Sequence, residues 1–168
     1  VEMGLPDPPT FSLESGIYTE DTITLTVTPA PNTTVYYTEI NSSGETPKIP
    51  TTADALYSSP LTISGGISYR FRAYSSDTTL FPSPVVSRSF VMLDDSTREF
   101  SSEVPILIID SLGGSIPQNV IAGGMRRNGN FFLVPTFRGK ATITDTPEYA
   151  GLADFEIFGQ TSAGFPKQ

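Results

Sequence analysis

Apolar and polar residues alternate cleanly in two stretches of the chain. In residues 21–29, Ile23, Leu25 and Val27 alternate with Thr22, Thr24, Thr26 and Thr28. A period of two predicts a half-buried β-strand with the aliphatic side chains inward. Residues 68–75 repeat the pattern, with Tyr69, Phe71 and Ala73 on one face and Arg70, Arg72 and Tyr74 on the other. Shorter runs at 10–12, 34–38, 56–57, 60–64 and 85–93 read as further strands. Turns are predicted at 14–18, at 30–32, in the loop 41–47 and at Gly65-Gly66, where Gly, Pro, Asn and Ser cluster.

The pattern changes at residues 104–110. Val104, Ile106, Leu107, Ile108 and Ile109 make five of seven positions large and apolar, without alternation. A run of this kind predicts a strand covered on both faces. Burying five such side chains is worth roughly 10 kcal/mol at ~1.5–3 each, comparable with the ~5–15 kcal/mol net stability of a typical domain. Further on, Asn128-Gly129 before the apolar run 130–134 predicts a hairpin turn. Residues 140–145 turn Ala141 and Ile143 inward, 146–151 read as a loop, and 153–159 place Phe155 and Ile157 on one face. No 3.6-residue apolar period persists, so no long helix is predicted.

Roughly seven strands followed by a change of pattern predict an all-β protein. An immunoglobulin- or fibronectin-III-like sandwich is expected at 10–93, after an extended Pro-rich arm at 1–9. An acidic hinge at 94–99 then leads to a second, smaller β-unit at 100–168, complete or incomplete.

Composition narrows the function. Ten basic against 18 acidic residues give a net charge of −8, with no basic stripe, which argues against nucleic acid and against an anionic membrane surface. No apolar run approaches the ~20 residues that span a bilayer. Cysteine and histidine are both absent, which removes disulfides, thiol nucleophiles and the commonest general base. A start at Val1 without an apolar leader fits a mature product or a fragment. Such a protein suits an extracellular or cell-surface setting.

Residues 8–93 resemble the chitobiase/β-hexosaminidase C-terminal-like domain family. The resemblance rests on Val35-Tyr36-Tyr37-Thr38 with Gly44-x-Thr46-Pro47, Pro60-Leu61-Thr62-Ile63, Tyr69-Arg70-Phe71-Arg72-Ala73, and Ser83-Pro84-Val85-Val86 with Phe90. It implies an accessory β-sandwich of secreted bacterial proteins, with no catalytic residues. The chain departs from that pattern at residues 39–43, where a rearranged loop is expected. Residues 98–168 are similar to the amino-terminal β-part of the CotH-type spore-coat kinase family. The likeness rests on the run from Phe100 to Asp110, Arg138-Gly139-Lys140-Ala141, the segment 145–151 and the segment 159–167. Phe158 stands where the family has Arg, and no acidic metal-binding motif follows Lys167, so kinase activity does not follow.

Candidate sites are few. Asp94, Asp95 and Glu99 are weak calcium candidates, since paired carboxylates supply hard oxygen ligands, although a solvated polar segment explains them equally. Tyr36 and Tyr74 are candidates for a glycan platform if they face outward. Asp110, Asp145, Asp154 and Glu156 offer carboxylates with nothing to fix a glycosidase spacing. The sequence favours a structural or interaction protein, not an enzyme. It is expected to act by β-sheet contacts with copies of itself or a surface protein, with Leu5, Phe158 and Phe165 as candidate assembly contacts. A carbohydrate-binding accessory module and a non-catalytic kinase fragment are the alternatives. Catalytic residues and cofactors, calcium apart, are expected to be none.

Overall fold

The structure, a computed structural model, describes residues 4–114 and 127–155. All the regular structure among them is β, and no helix is present. The first unit holds β1 (Thr10–Phe11), β2 (Gly16–Tyr18), β3 (Ile23–Leu25), β4 (Val27–Thr28) and β5 (Thr33–Ile40). It continues with β6 (Ala55–Leu56), β7 (Leu61–Ile63), β8 (Ile67–Ser75) and β9 (Val86–Met92). The second unit holds β10 (Ser101–Ser102), β11 (Ile106–Asp110), β12 (Arg127–Val134), β13 (Ala141–Thr142) and β14 (Tyr149–Phe155).

A five-stranded sheet in the order β2-β9-β8-β5-β6 is the centre of the molecule. On one side of it lie the antiparallel pairs β3–β7 and β1–β4. Between these layers sits the main core, with Leu25, Val27, Val35, Ile63, Phe71, Ala73 and Phe90 all buried. Phe11, Tyr18, Tyr37 and Tyr57 pack around it. The alternation in 21–29 and 68–75 therefore reads correctly, because each inward residue lands in one shared apolar layer. The result is a sandwich-like arrangement.

Two local expectations for this unit are corrected. Residues 14–18 do not simply turn: Gly16–Tyr18 is a strand running parallel to β9, with Ile17 opposite Val91. The run 21–29 is not one strand but two, β3 and β4, which pair with different partners. The break falls at Thr26, whose N–H donates to Ser12 Oγ at 2.9 Å and whose carbonyl accepts from Ser12 N–H at 3.0 Å. A side chain has captured the backbone at the point where the strand changes sheet.

The second unit is a three-stranded antiparallel sheet, β11-β12-β14, with the small pair β10–β13 beside it. It builds on the first unit. Leu93, Ile106, Val134, Ala141 and Ile143 form a second core, and Ile17 and Ile108 pack against it. Ile17 and Leu93 are contributed by the chain before the acidic segment. Residues 94–99 are themselves folded into a turn. Thr97 N–H donates to the Asp94 carbonyl at 3.2 Å, and the Arg98 guanidinium meets Asp95 at 2.7 Å and Asp21 at 3.5 Å.

A buried polar cluster joins the units. Asn130 is fully buried. Its Oδ1 accepts from Ser68 Oγ at 2.6 Å, and Ser68 in turn is bonded to Ser89. Its Nδ2 donates toward the carbonyls of Phe90 (3.1 Å) and Ile67 (3.3 Å) and toward Asp110 Oδ2 (3.2 Å). Ser68 and Ser89 sit opposite each other on the face of the five-stranded sheet turned away from the main core. Asn128 adds a second clamp, its N–H donating to the Ser43 carbonyl at 2.9 Å and its Nδ2 to the Glu45 carbonyl. The loop that departs from the family pattern is thus the loop that meets β12.

Three expectations fail in the second unit. Asn128-Gly129 is no hairpin turn. Both residues lie inside β12, opposite Asp154 and Ala153, because Asn128 is bonded to the 41–47 loop and Gly129 admits a close approach. A Cβ at Gly129 would stand 2.9 Å from the Asp110 carbonyl and 3.0 Å from the Phe155 ring. Tyr149, Ala150 and Gly151 belong to β14 and not to a loop, pairing with Leu133, Phe132 and Phe131. The third concerns the run 104–110, whose two faces were both expected to be covered. Ile106 is 7% exposed, whereas Leu107 is 57% and Ile109 41% exposed. Only one face of β11 has a layer on it, because this sheet is the outermost of the stack.

Candidate functional site

The outward face of the β11-β12-β14 sheet is the most distinctive surface among the described residues. Period-two geometry places Leu107 and Ile109 of β11 beside Leu133 and Phe131 of β12. Tyr149, Gly151, Ala153 and Phe155 of β14 continue the same face. Leu107, Ile109 and Tyr149 are exposed, and the others are half-buried. Its sole charged position is Arg127, at the β12 end.

Aromatic rings flatten this face. Phe131 and Phe155 contact each other with centroids 6.0 Å apart, and both rings approach the space over Gly129. The Tyr149 ring lies over Gly151, its hydroxyl 3.1 Å from where a Cβ would stand. Glycines that lack a side chain are covered by neighbouring aromatics, an arrangement that holds sheet register. Sequence reasoning placed the β11 run correctly but missed this face. The available signal was Phe131-Phe132-Leu133-Val134, four apolar residues in a row next to a second unalternating run.

The sequence-predicted site residues fall elsewhere. Tyr36 and Tyr74 do come together, with ring centroids 5.6 Å apart at 89°. The edge-to-face contact gives no flat surface. Both are half-buried, the Tyr74 hydroxyl donates to the Pro50 carbonyl at 2.9 Å, and the Arg72 guanidinium lies 5.9 Å from the Tyr74 ring centre. Tyr37 and Tyr69, read as core residues, pack in the main core. Burial, with the Glu39 charge and Tyr37 nearby, pushes the Tyr69 hydroxyl up to about 12.

Asp94 and Asp95 are engaged in the turn they occupy. Asp94 Oδ1 accepts from Ser96 Oγ at 2.6 Å and from Thr97 N–H at 3.1 Å, and the bond from Ser96, above all, holds its carboxyl below the usual range. Asp95 pairs with Arg98, while Glu99 is exposed. No group of three or more Asp, Glu, His or Cys that could hold a metal ion exists among the described residues. Asp110 spends both carboxylate oxygens on Leu112 N–H and Asn130. Asp145 accepts from Thr142 N–H at 2.7 Å.

Leu5 is 56% exposed and lines a cleft of about 500 Å³ with Asn32, Asp77 and Leu80. Phe158, Phe165, Glu156, Ile157 and Lys167 lie outside the described residues. No described helix is long and apolar enough to cross a membrane. Comparison with known proteins returns no match: no protein-family model fits the chain, and no curated protein or solved structure is similar to it.

Proposed function

We propose that this chain is a structural or interaction protein of the cell surface or exterior, acting through β-sheet contacts with copies of itself or with a partner protein. The observation that carries the reading is the exposed apolar face of the second sheet. Monomeric proteins seldom leave large contiguous apolar areas in water, and such areas mark interaction sites. A chain without His or Cys has a narrow choice of nucleophiles and bases, which favours binding over catalysis. The resemblances to an accessory β-sandwich family and to the β-part of the CotH-type family add the extracellular setting to this reading.

Self-association is measured by sedimentation and electron microscopy of the purified chain. A particle that stays strictly monomeric up to about 1 mM, where even ~4 kcal/mol of attraction half-saturates, overturns the self-assembly reading. A pull on glycans would favour the carbohydrate-binding alternative. Tyr36 and Tyr74 offer that alternative a T-shaped pair where sugar stacking needs an open ring face, so the assembly reading is preferred.

A further inference from the structure

We infer that the outward face of the β11-β12-β14 sheet is a weak homodimer interface, in which the same face of a second copy covers it. The inference rests on the assembly reading above and assigns it a surface. Three observations point to a second copy.

The first is charge. The chain carries −8 overall, yet the face presents Leu107, Ile109, Phe131, Leu133, Tyr149 and Phe155, with Arg127 only at its end. A charged partner finds almost nothing here to pair with. An identical face is complementary to it without a buried unpaired charge.

The second is shape. Rings lying over Gly129 and Gly151 leave a level surface, and two such sheets stack face to face about 10 Å apart. A twofold axis parallel to β12 then sets β11 of each copy over β14 of the other. That places the protruding Leu107 and Ile109 against the strand carrying Gly151 and Ala153, the smallest residues of the face.

The third is size. The longest strand, β12, has eight residues, about 27 Å at ~3.4 Å each, and three strands ~4.8 Å apart span ~14 Å. The footprint is therefore roughly 400 Å², about half of the ~800 Å² per partner in a standard stable complex. This area supports a transient dimer that forms as concentration rises and is strengthened by side-by-side display on a surface.

The test is sedimentation velocity on the full chain from about 10 µM to about 1 mM, at low and at high salt, with melting temperatures alongside. Wild-type mass is expected to rise with concentration, and more so in salt, because screening relieves repulsion between acidic copies while leaving an apolar contact intact. Leu107→Asp is expected to raise the dissociation constant at least ~10-fold with an unchanged melting temperature. Leu56→Asp, at an equally exposed position on β6 of the first unit, is expected to associate like wild type.

Association that Leu107→Asp leaves intact, or that Leu56→Asp abolishes equally, places the contact elsewhere and overturns the interface while assembly stands. A wild type that is monomeric throughout overturns both. A Leu107→Asp chain that melts several degrees lower shows the face to be covered within one chain and also overturns it. Retention of wild type but not Leu107→Asp on an insoluble polysaccharide, with no change in mass, reassigns the face to sugar.

Discussion

Both faces of the five-stranded sheet are covered. Phe71 and Ala73 lie under the β3–β7 and β1–β4 pairs on one side, while Ser68 and Ser89 lie under Asn130 on the other. The three-stranded sheet has its inner face closed by that same contact, with Phe132 and Val134 fully buried, and turns Leu107, Ile109 and Tyr149 outward. Residue chemistry is inverted between the two: serines are buried in the middle layer and leucine and isoleucine stand in water on the outer one. Position in the stack, and not side-chain polarity, decides what is covered. A polar side chain can be buried at little net cost when its hydrogen bonds are complete, as those of Asn130 are. An apolar one stays exposed when no further layer is supplied.

The sharpest probe of this difference uses two residues on opposite faces of one sheet. Phe132→Ala empties a fully buried site on the inner face and should cost about 3–5 kcal/mol of unfolding free energy, the range for large core aromatics. Leu107→Ala, one strand away on the outer face, should cost no more than about 0.5 kcal/mol in the monomer. Urea denaturation at low protein concentration reads both. Equal losses would mean that the outer face is covered after all, and the comparison would collapse.

Next in size is the contact that closes both inner faces. Asn130→Ala strips partners from Ser68 Oγ, the Asp110 carboxylate and the Ile67 and Phe90 carbonyls at once. Leaving buried polar groups unpaired costs ~1–3 kcal/mol each, and some will find water, so a loss of about 2–4 kcal/mol is expected. Because the cluster ties the two units together, unfolding should also lose cooperativity. Tyrosine fluorescence, weighted to the first unit, and far-UV circular dichroism, weighted by the whole chain, should then give separate midpoints. A variant whose transitions still coincide, with less than 1 kcal/mol lost, would reduce the cluster to a local feature.

The first unit was readable in the sequence because its strands alternate and its core needs only one face of each. Ile23, Leu25, Val27, Tyr69, Phe71 and Ala73 were all placed inward, and all pack in the main core. What alternation cannot report is which layer lies beyond the outward face. Ser68 and Ser89 look like solvent-facing residues of their strands until Asn130, more than 40 positions away from Ser89 in the chain, arrives above them. The same blindness misread β12. Asn128-Gly129 carries the local chemistry of a turn, yet the bonds from Asn128 to the 41–47 loop hold it in an extended strand. The assembly face stayed hidden for the converse reason: an unbroken apolar run reads as doubly covered, and nothing local says that one cover is missing.

A smaller effect tests how closely the units approach at their seam. A Cβ on Gly66 would stand 1.8 Å from Asp110 Oδ2, so the carboxylate must move. Moving it stretches its bonds from Leu112 N–H and Asn130 Nδ2, and Gly66→Ala should cost about 1–3 kcal/mol. The neighbouring Gly65 has open space around it, so Gly65→Ala is the matched control and should change stability by about 0.5 kcal/mol or less. A seam that tolerates both substitutions equally would not be tightly packed.

The remaining cover on the five-stranded sheet is a loop, and it responds to pH. Pro50 is buried beside Tyr74, whose hydroxyl it receives, and Thr38 Oγ1 donates to the Lys48 carbonyl at 3.3 Å. Residues 48–54 thus cover the end of this face that the second unit does not reach. Asp54 holds the loop, accepting from Lys48 Nζ, and from Thr51 N–H and Oγ1 at 2.8 Å each. The bond from Lys48, and then those from Thr51, lower its carboxyl to about 2 from an ordinary value of 3.8. A carboxyl held lower in the folded chain than in the unfolded one binds its proton more readily after unfolding. Its contribution is complete above about pH 4 and is lost as the pH falls from there toward 2. Melting temperatures of wild type and Asp54→Asn should therefore differ by a constant amount near neutrality and converge between pH 4 and pH 2. Added salt should narrow the gap at every pH, since the Lys48 side of the pair is exposed. A gap that persists unchanged at pH 2 would show that Asp54 holds the loop by shape alone, and that the cover over Tyr74 does not depend on charge.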